Sequence, residues 1–389
     1  MSWSIVRLEE LYAEPSRNGI YKSKEYQGTG TPVVKMNELF DNRRIHAGDL
    51  NLDRLQLSPQ ELQRFCLNTD DLLFARTSVV PEGVGKCSLI CSVEGDLAFG
   101  SNLIRARIDE SKANPAYLFY YFQSPSGRGR ILAISNGVAV RTIRGSDLKN
   151  INIKLPRRKT QEHIASILSS YDDLIENNLR RIQLLEQAAR LLYKEWFVHL
   201  RFPGHERVSI TDGVPEGWER KQVKNILGKV KRSRKIKKAE FLEEGAIPCI
   251  DQSRAFIGGY TDDEGAVIDE GKPVIVFGDH TRILKFVDFP FARGADGTQL
   301  IVPNDEELSE EFLYFALEAI DLSDYSYARH FKFLKDQYIP RPPSILLSQF
   351  TDDARPIMKQ IKLLRDHSRY LAQARDLLLP RLMNGEVVV

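Results

Sequence analysis

Gly83-Val84-Gly85-Lys86-Cys87 has the outline of a phosphate-binding loop, but Val80 stands where the first glycine should be. Cys87 also replaces the Ser or Thr that holds magnesium, so the backbone cradle and the metal hydroxyl are both missing. Arg341-Pro342-Pro343-Ser344 has the frame of the Asn-Pro-Pro-aromatic signature of amino-methyltransferases. It lacks the polar group that holds the target amine and the aromatic that stacks on the base. Asp269-Glu270-Gly271-Lys272 carries part of a nuclease-like carboxylate–lysine pattern without the preceding acid at strand spacing, and reads as a turn. No HExxH, GxSxG or EF-hand loop occurs. The expectation is a chain without a catalytic or metal site of its own.

Binding chemistry is better represented. Arg76-Thr77-Ser78 ends a strand-like run. Arginine can pair in a bidentate way with guanine O6 and N7, and hydroxyls reach bases or phosphates; the bland alternative is a solvated strand end. Between Arg220 and Lys238 stand ten Lys or Arg and no acid, among them Lys231, Arg232, Arg234, Lys235 and Lys237. From Ser111 to Ser146 the charged residues are Lys112, Arg128, Arg130, Arg141 and Arg144. Two basic stretches, one per half of a chain whose net charge is only +2, fit two phosphate-facing surfaces; the alternative is a flexible, solvated charge run. In the second half Tyr325, Tyr327, Arg329, His330, Phe331, Lys332, Phe333 and Lys335 interleave rings and cations, so aromatics should face inward and cations outward. Arg282 joins this candidate DNA-binding set. Phosphate contact is the expected role of the arginines, because most protein–DNA hydrogen bonds go to the backbone.

Two long helices must position these groups. Ile164, Leu168, Tyr171, Ile175, Asn178, Ile182, Leu185, Ala189, Leu192 and Trp196 recur at alternating spacings of 4 and 3, the seam of a coiled coil. Ile357, Ile361, Leu364, Ser368, Leu371, Arg375, Leu378 and Leu382 repeat the spacing with two polar interruptions. The pairing positions are taken as Ile175, Asn178, Ile182 and Leu185 against Ile357, Ile361, Leu364 and Leu371. Asn178, the polar residue of the first seam, reads as a register-setting side chain.

The layout around the helices repeats as well. Trp3 precedes Leu8 and Leu11 as Trp218 precedes Val223 and Ile226. Gly30–Val34 matches Ala246–Ile250, and Tyr117–Tyr120 matches Phe312–Phe315. Leu148-Lys149-Asn150 leads to Leu155-Pro156 as Leu334-Lys335-Asp336 leads to Ile339-Pro340. The predicted fold is α+β: two globular domains in tandem repeat, separated by two long antiparallel helices with pseudo-two-fold symmetry. The boundaries are 1–155, a central helix at 156–205, 206–340 with a linker at 206–217, and a distal helix at 341–389. Expected strands are Thr31–Lys35, Asp71–Ala75, Asn102–Ile108, Val274–Phe277 and Gln299–Val302, with a helix at Pro115–Gln123. Trp196 and Phe197 are expected core or partner-packing aromatics, and Arg201–Pro215 a link between halves.

At 42% hydrophobic and 28% charged, with no apolar run near the ~20 residues of a membrane helix, the composition is that of a soluble globular protein. Met1–Ile5 lacks the features of a secretory signal. Cys66, Cys87, Cys91 and Cys249 form no CxxC pair and read as reduced thiols in a prokaryotic cytoplasm.

Leu155-Pro156, Gln161–Leu168, Asp172–Asn178, Ile182–Leu185, Tyr193–Phe197, Arg201–Gly204 and Arg375–Gly385 resemble the specificity (S) subunit of type I restriction–modification systems. The second half departs from that pattern. Arg341–Gln349 lacks the Gln-x-x-Ile-Ala-x-Ile-Leu opening, and Pro356 is expected to interrupt or start the distal helix. The resemblance implies a noncatalytic, sequence-specific DNA-recognition subunit. Each globular region would be a target-recognition domain reading one half of a split double-stranded target, and the helices would be a ruler. Thr160–Leu200 would reach about 60 Å, against roughly 34 Å for one DNA turn. Two methylation (M) subunits carrying S-adenosylmethionine would dock on the helices and flip the target base. Restriction (R) subunits using ATP and Mg2+ would join the same core, with no membrane involved. The competing reading is a coiled-coil scaffold without sequence-specific DNA binding.

Overall fold

In the computed structural model of the chain, residues 3–137, 139–231, 233–325, 329–387 and 389 are described. Arg232 and Tyr327 lie outside them. The chain divides into two compact units, Met1–Glu176 with Ser368–Val389, and Asn177–His367.

In the first unit Ser4–Arg7 pairs antiparallel with Asn152–Leu155, the strand that leads directly into the central helix. A five-stranded sheet runs in the order Tyr12–Asn18, Leu103–Ile108, Leu72–Ala75, Cys87–Ser92, Arg44–His46. The expected strands at 71–75 and 102–108 thus become neighbours in one ladder, with Leu103 opposite Ala75 and Ala106 opposite Leu72. A smaller sheet pairs Gln27–Val34 with Asp53–Leu55 and Ala98–Phe99. The helix Pro115–Gln123 forms where the sequence places it: Asn114 caps it through Tyr117 N–H, and Pro115 starts the first turn, where its missing N–H costs nothing. Six consecutive residues of that helix, Tyr117–Phe122, are buried, so it lies inside the core rather than on it.

The second unit repeats the plan. Glu219–Gln222 pairs antiparallel with Tyr338–Arg341, again the strand next to a long helix. Val274–Gly278 is flanked by Leu284–Val287 and Thr298–Ile301. A second sheet gathers Lys235–Ile236, Ile247–Ile250 and Val267–Ile268 around Phe291–Gly294. Ser309 caps the helix Glu310–Glu318, the counterpart of Pro115–Gln123. The expected link at 201–215 is partly built into this unit: Phe202 is buried with its ring 5.0 Å from Trp218, and Ile210–Thr211 pairs with Val214–Pro215.

The central helix, Arg158–Tyr193, contains neither Gly nor Pro and ends in a π turn at Lys194–Val198. The distal helix, Ser344–Met383, passes through Pro356 without a break, which corrects the expectation that this proline would start or interrupt it. Proline removes one hydrogen bond, to the carbonyl of residue 352. Asp352 and Pro356 are both on the exposed face, where water replaces that bond.

Burial follows the seam. In the first unit Ile164 and Leu168 share a core with Leu379, Leu382 and Met383. In the second unit Ile182 and Ala189 share one with Met358, Ile361 and Leu364, with Leu185 and Ile357 at its margin. Early residues of one helix meet late residues of the other, so the pair is antiparallel. Ile175 and Leu371 are half-buried. Asn178 is buried, and its amide nitrogen has no hydrogen-bond partner.

Ion pairs fasten each domain to its helix segments with opposite polarity. Within the first unit Arg375 of the distal helix pairs with the buried Asp172 of the central helix, whose other oxygen accepts the hydroxyl of the domain's Tyr120 at 2.6 Å; the domain's own cations are Arg43 and Arg44. Arg44 binds Asp173 at 2.6 Å and Glu176 at 3.4 Å, and Arg43 faces Asp376 at 3.7 Å. In the second unit the acids are on the domain and the cations on the helices: Glu318 with Arg190 at 2.9 Å, Asp288 with Lys362 at 3.4 Å, and Glu311 with Arg355 at 2.9 Å.

Removing one partner of a buried pair strands the other, at about 3–5 kcal/mol. Asp172→Ala is therefore expected to lower unfolding free energy by about that amount, and Asp172→Leu with Arg375→Leu by much less. Urea unfolding of the full chain checks both. Equal losses in the two variants would contradict this reading of the pair.

Candidate nucleic-acid interface

At the end of Leu72–Ala75 the chain turns through Arg76 into Thr77-Ser78, which forms a short antiparallel ladder with Arg141-Thr142. The structure thus brings together two separately predicted groups. Thr77 lies opposite Thr142 and Ser78 opposite Arg141, and the Arg76 carbonyl accepts the Ile143 N–H at 2.9 Å. Arg141 donates to Ser135 Oγ at 3.1 Å. Val79, Val80 and Val140 stand exposed beside them. Apolar side chains next to a guanidinium and hydroxyls suit a groove that presents methyl groups as well as acceptors.

The other predicted residues of this unit lie elsewhere. Arg128 is half-buried and donates to the carbonyls of Glu82 and Val84 at 2.9 and 3.1 Å, so it holds the 81–84 turn. Burial lowers its pKa. Arg130 is exposed and lines a cavity of about 540 Å3 with Trp3, Tyr121, Lys154 and Gly385. Arg144 is exposed at the start of the short helix Gly145–Leu148. Beside Arg76, whose N–H donates to the Asn102 carbonyl at 2.7 Å, is a cavity of about 330 Å3 lined by Tyr21, Lys35, Asn37, Ser101 and Asn102. The sequence marks Lys35 and Asn102 only as ends of expected strands and gives none of the five a binding role.

In the second unit the equivalent strand, Val274–Gly278, runs into Asp279-His280-Thr281-Arg282. Gln252 organises this turn: its Oε1 accepts the His280 N–H at 3.1 Å, its carbonyl accepts the Thr281 hydroxyl at 2.8 Å, and its Nε2 donates to the Asp296 carbonyl at 3.0 Å. Arg282, at φ +61°, donates to the Leu322 carbonyl at 2.8 Å. Asp279 anchors the next element by accepting the Phe331 N–H at 2.8 Å, at the start of the helix His330–Asp336. Arg329 and Lys332 are exposed there, while Phe331 and Phe333 are half-buried, Phe333 stacked on Tyr325 at 4.2 Å. His330 is buried, and burial together with Arg282 lowers its pKa.

The basic stretch of this unit divides. Arg234 is held by Asp263 and Glu240, so its charge is largely spent within the domain. Lys231 and Lys235 are exposed and line a cavity of about 400 Å3 with Ser233, Arg293 and Gln299. Lys237 is exposed. Beneath the Gln252 loop, Lys285 donates to the carbonyls of Asp251 and Ala255, and its burial pushes the ammonium pKa down to about 8.

The four cysteines are free thiols. Among the described residues no group of His, Cys, Asp and Glu is placed to hold a metal, and no helix is long and apolar enough to cross a membrane.

Two mixed domains, each closed by a strand that leads into one of two antiparallel spacer helices, define the class of this fold. Residues 2–187 match the family described as the type I restriction modification DNA specificity domain. The MjaIX specificity subunit of Methanocaldococcus jannaschii is 25% identical over 95% of this chain and 89% of its own length. The EcoKI specificity subunit of Escherichia coli is 32% identical over 44% of this chain and 38% of its own. The S subunit of a type I restriction–modification system from M. genitalium shares the fold, with a TM-score of 0.58 at 16% identity over 98% of this chain and 96% of that one. In sequence and in fold the chain is similar to type I restriction–modification specificity subunits along nearly its whole length.

Two outcomes follow from the geometry. Arg76→Ala, Arg141→Ala and Arg329→Ala should weaken DNA binding without unfolding the chain, a phosphate contact showing as a uniform loss and a salt slope reduced by about 1; unchanged affinity in all three would discard this surface. Between pH about 8 and the ordinary lysine range near 10.4, the unfolded chain holds a proton at residue 285 that the folded chain has released. Stability should therefore rise with pH across that window relative to Lys285→Met, as read by urea unfolding at stepped pH. Parallel pH profiles for the two proteins would contradict the assignment.

Proposed function

We infer that this chain is the sequence-specific DNA-recognition subunit of a type I restriction–modification complex. Its two globular domains, 1–155 and 206–340, each read one half of a split target, and its helices dock methylation subunits. The observation that carries this reading is the duplicated architecture of a specificity subunit, with a strand end presenting arginine and hydroxyl groups in each domain. Two readers carried on one chain suit a bipartite site.

The chemistry belongs to partners. Two methylation subunits would bring S-adenosylmethionine and flip the target base, and restriction subunits would bring ATP and Mg2+; this chain supplies position and sequence choice, in the cytoplasm. The outer faces of the helices support docking. Leu184 and Leu191 of the central helix, and Leu363, Tyr370 and Leu377 of the distal helix, recur every seven residues and stand exposed, off the buried seam. A heptad-spaced apolar face left open fits a partner helix.

Methyladenine should be mapped in DNA after co-expression with the neighbouring methylation subunit, with this chain present or omitted. A split motif with a fixed spacer is expected only when the chain is present, and the absence of any chain-dependent motif from a formed complex would overturn the reading. Leu184→Glu with Leu191→Glu is expected to abolish co-purification of the methylation subunit while the chain remains folded.

A further inference from the structure

A similar five-residue segment, Gly-Ser/Thr-Asn/Gln-Leu-Ile, leads into the strand that lies beside each candidate reading turn. In the first unit it is Gly100-Ser101-Asn102-Leu103-Ile104; in the second it is Gly297-Thr298-Gln299-Leu300-Ile301. The two segments hold equivalent places in their sheets. Ile104 pairs with Phe74 in the strand that ends at Arg76, and Ile301 pairs with Ile275 in the strand that ends at Asp279. Each follows a strand in a parallel ladder, Ala98–Phe99 on Val33-Val34 and Phe291–Gly294 on Cys249-Ile250.

The third residue is a carboxamide in both. Asn102 is exposed on the rim of the 330 Å3 cavity, and its side chain has no hydrogen-bond partner among the described residues. Gln299 lines the 400 Å3 cavity; its Oε1 accepts a long, weak bond from Arg293 Nη2 at 3.5 Å, and its Nε2 has no partner among the described residues. A structural amide at such a position would be satisfied by backbone groups, as Gln252 is at both ends. Asn102 instead directly precedes its strand and Gln299 is the second residue of its own, and neither amide nitrogen has a partner among the described residues.

We propose that Asn102 and Gln299 are specificity-determining side chains, one per half-site, each reading the major-groove edge of an adenine. A carboxamide offers one acceptor and one donor side by side, which matches adenine N6–H and N7 and matches guanine poorly. The surroundings differ in a way that fits base readout in both and adds phosphate contact in one. Lys35, on the first cavity, is paired with Asp53 at 2.7 Å. Lys231 and Lys235 on the second are exposed, and Arg293 lines the same cavity. The proposal rests on the DNA-recognition reading above and adds the residues and the base.

The test uses the full chain co-expressed with its methylation subunit, with methyladenine mapping and equilibrium binding to the mapped site at fixed salt. Asn102→Ala should relax one position in one half of the motif and leave the other half intact, with about a ten- to hundredfold loss for the cognate site. Gln299→Ala should do the same in the other half. Thermal melting reports folding. Should an alanine variant unfold, Asn102→Asp and Gln299→Glu replace it, and a carboxylate should move the preference at that position towards cytosine, whose N4 donates. An unchanged motif with cognate affinity within about twofold, or no shift with the carboxylates, overturns the proposal while the wild-type motif still stands. Absence of any motif with the wild-type chain removes the underlying reading instead.

Discussion

The Asp172 carboxylate is the point on which the first unit turns. It is nearly excluded from water, and a charge in that position is tolerated only with strong partners. Its partners come from two other elements: Tyr120 from the buried helix of the globular domain and Arg375 from the distal helix. One anion therefore fixes the angle and register of three elements at once. The neighbouring pairs, Arg44 with Asp173 and Glu176 and Arg43 with Asp376, are longer or more exposed, and extend an orientation that Asp172 has already set. The second unit reaches the same end by apolar means. Phe315, Phe350, Met358 and Ile361 fill its core, with Phe350 at 5.1 Å from Phe197. Charge enters there with reversed sign, the buried Glu311 pairing with Arg355 of the distal helix. Ladders and helices repeat between the halves, but the means of fastening them do not.

Legibility in the sequence tracks the range of the interactions. The central helix is readable because a 4,3 alternation is a local pattern, and Pro115–Gln123 because its cap and first-turn proline are adjacent in sequence. The strand runs are readable in position but not in partner. Leu103–Ile108 lies between Tyr12–Asn18 and Leu72–Ala75, and nothing within any of the three names the others. Pro356 misleads because a local rule, proline as helix breaker, is overridden by packing of Ala354, Met358 and Ile361 on the face away from it.

The candidate interface was legible in residue type and not in commitment. Arg76 with Thr77 and Ser78, and Arg141 from some sixty residues further along, meet in one ladder. Arg128 and Arg234 carry the same charge yet are spent on carbonyls and carboxylates of their own domains. Composition counts a cation wherever it stands; only geometry tells whether its donors are free. Asn102 and Gln299 are legible only as strand ends, for the opposite reason. Uncharged amides leave no trace in a charge pattern, and the signal that would have found them was the repeated five-residue segment in which each sits.

The last turns of the distal helix have a consequence for the order of assembly. Leu379, Leu382 and Met383 belong to the core that also holds Leu8, Phe119 and Ile164, and Arg375 meets Asp172 across 203 residues of chain. The second unit, by contrast, is one uninterrupted stretch, Asn177–His367. Closing a loop that long costs entropy before any contact repays it. On a ribosome, the half that emerges first is therefore the half that is finished last. Until Ser368–Val389 arrives it must wait with Asp172 lacking Arg375 and one side of its core uncovered.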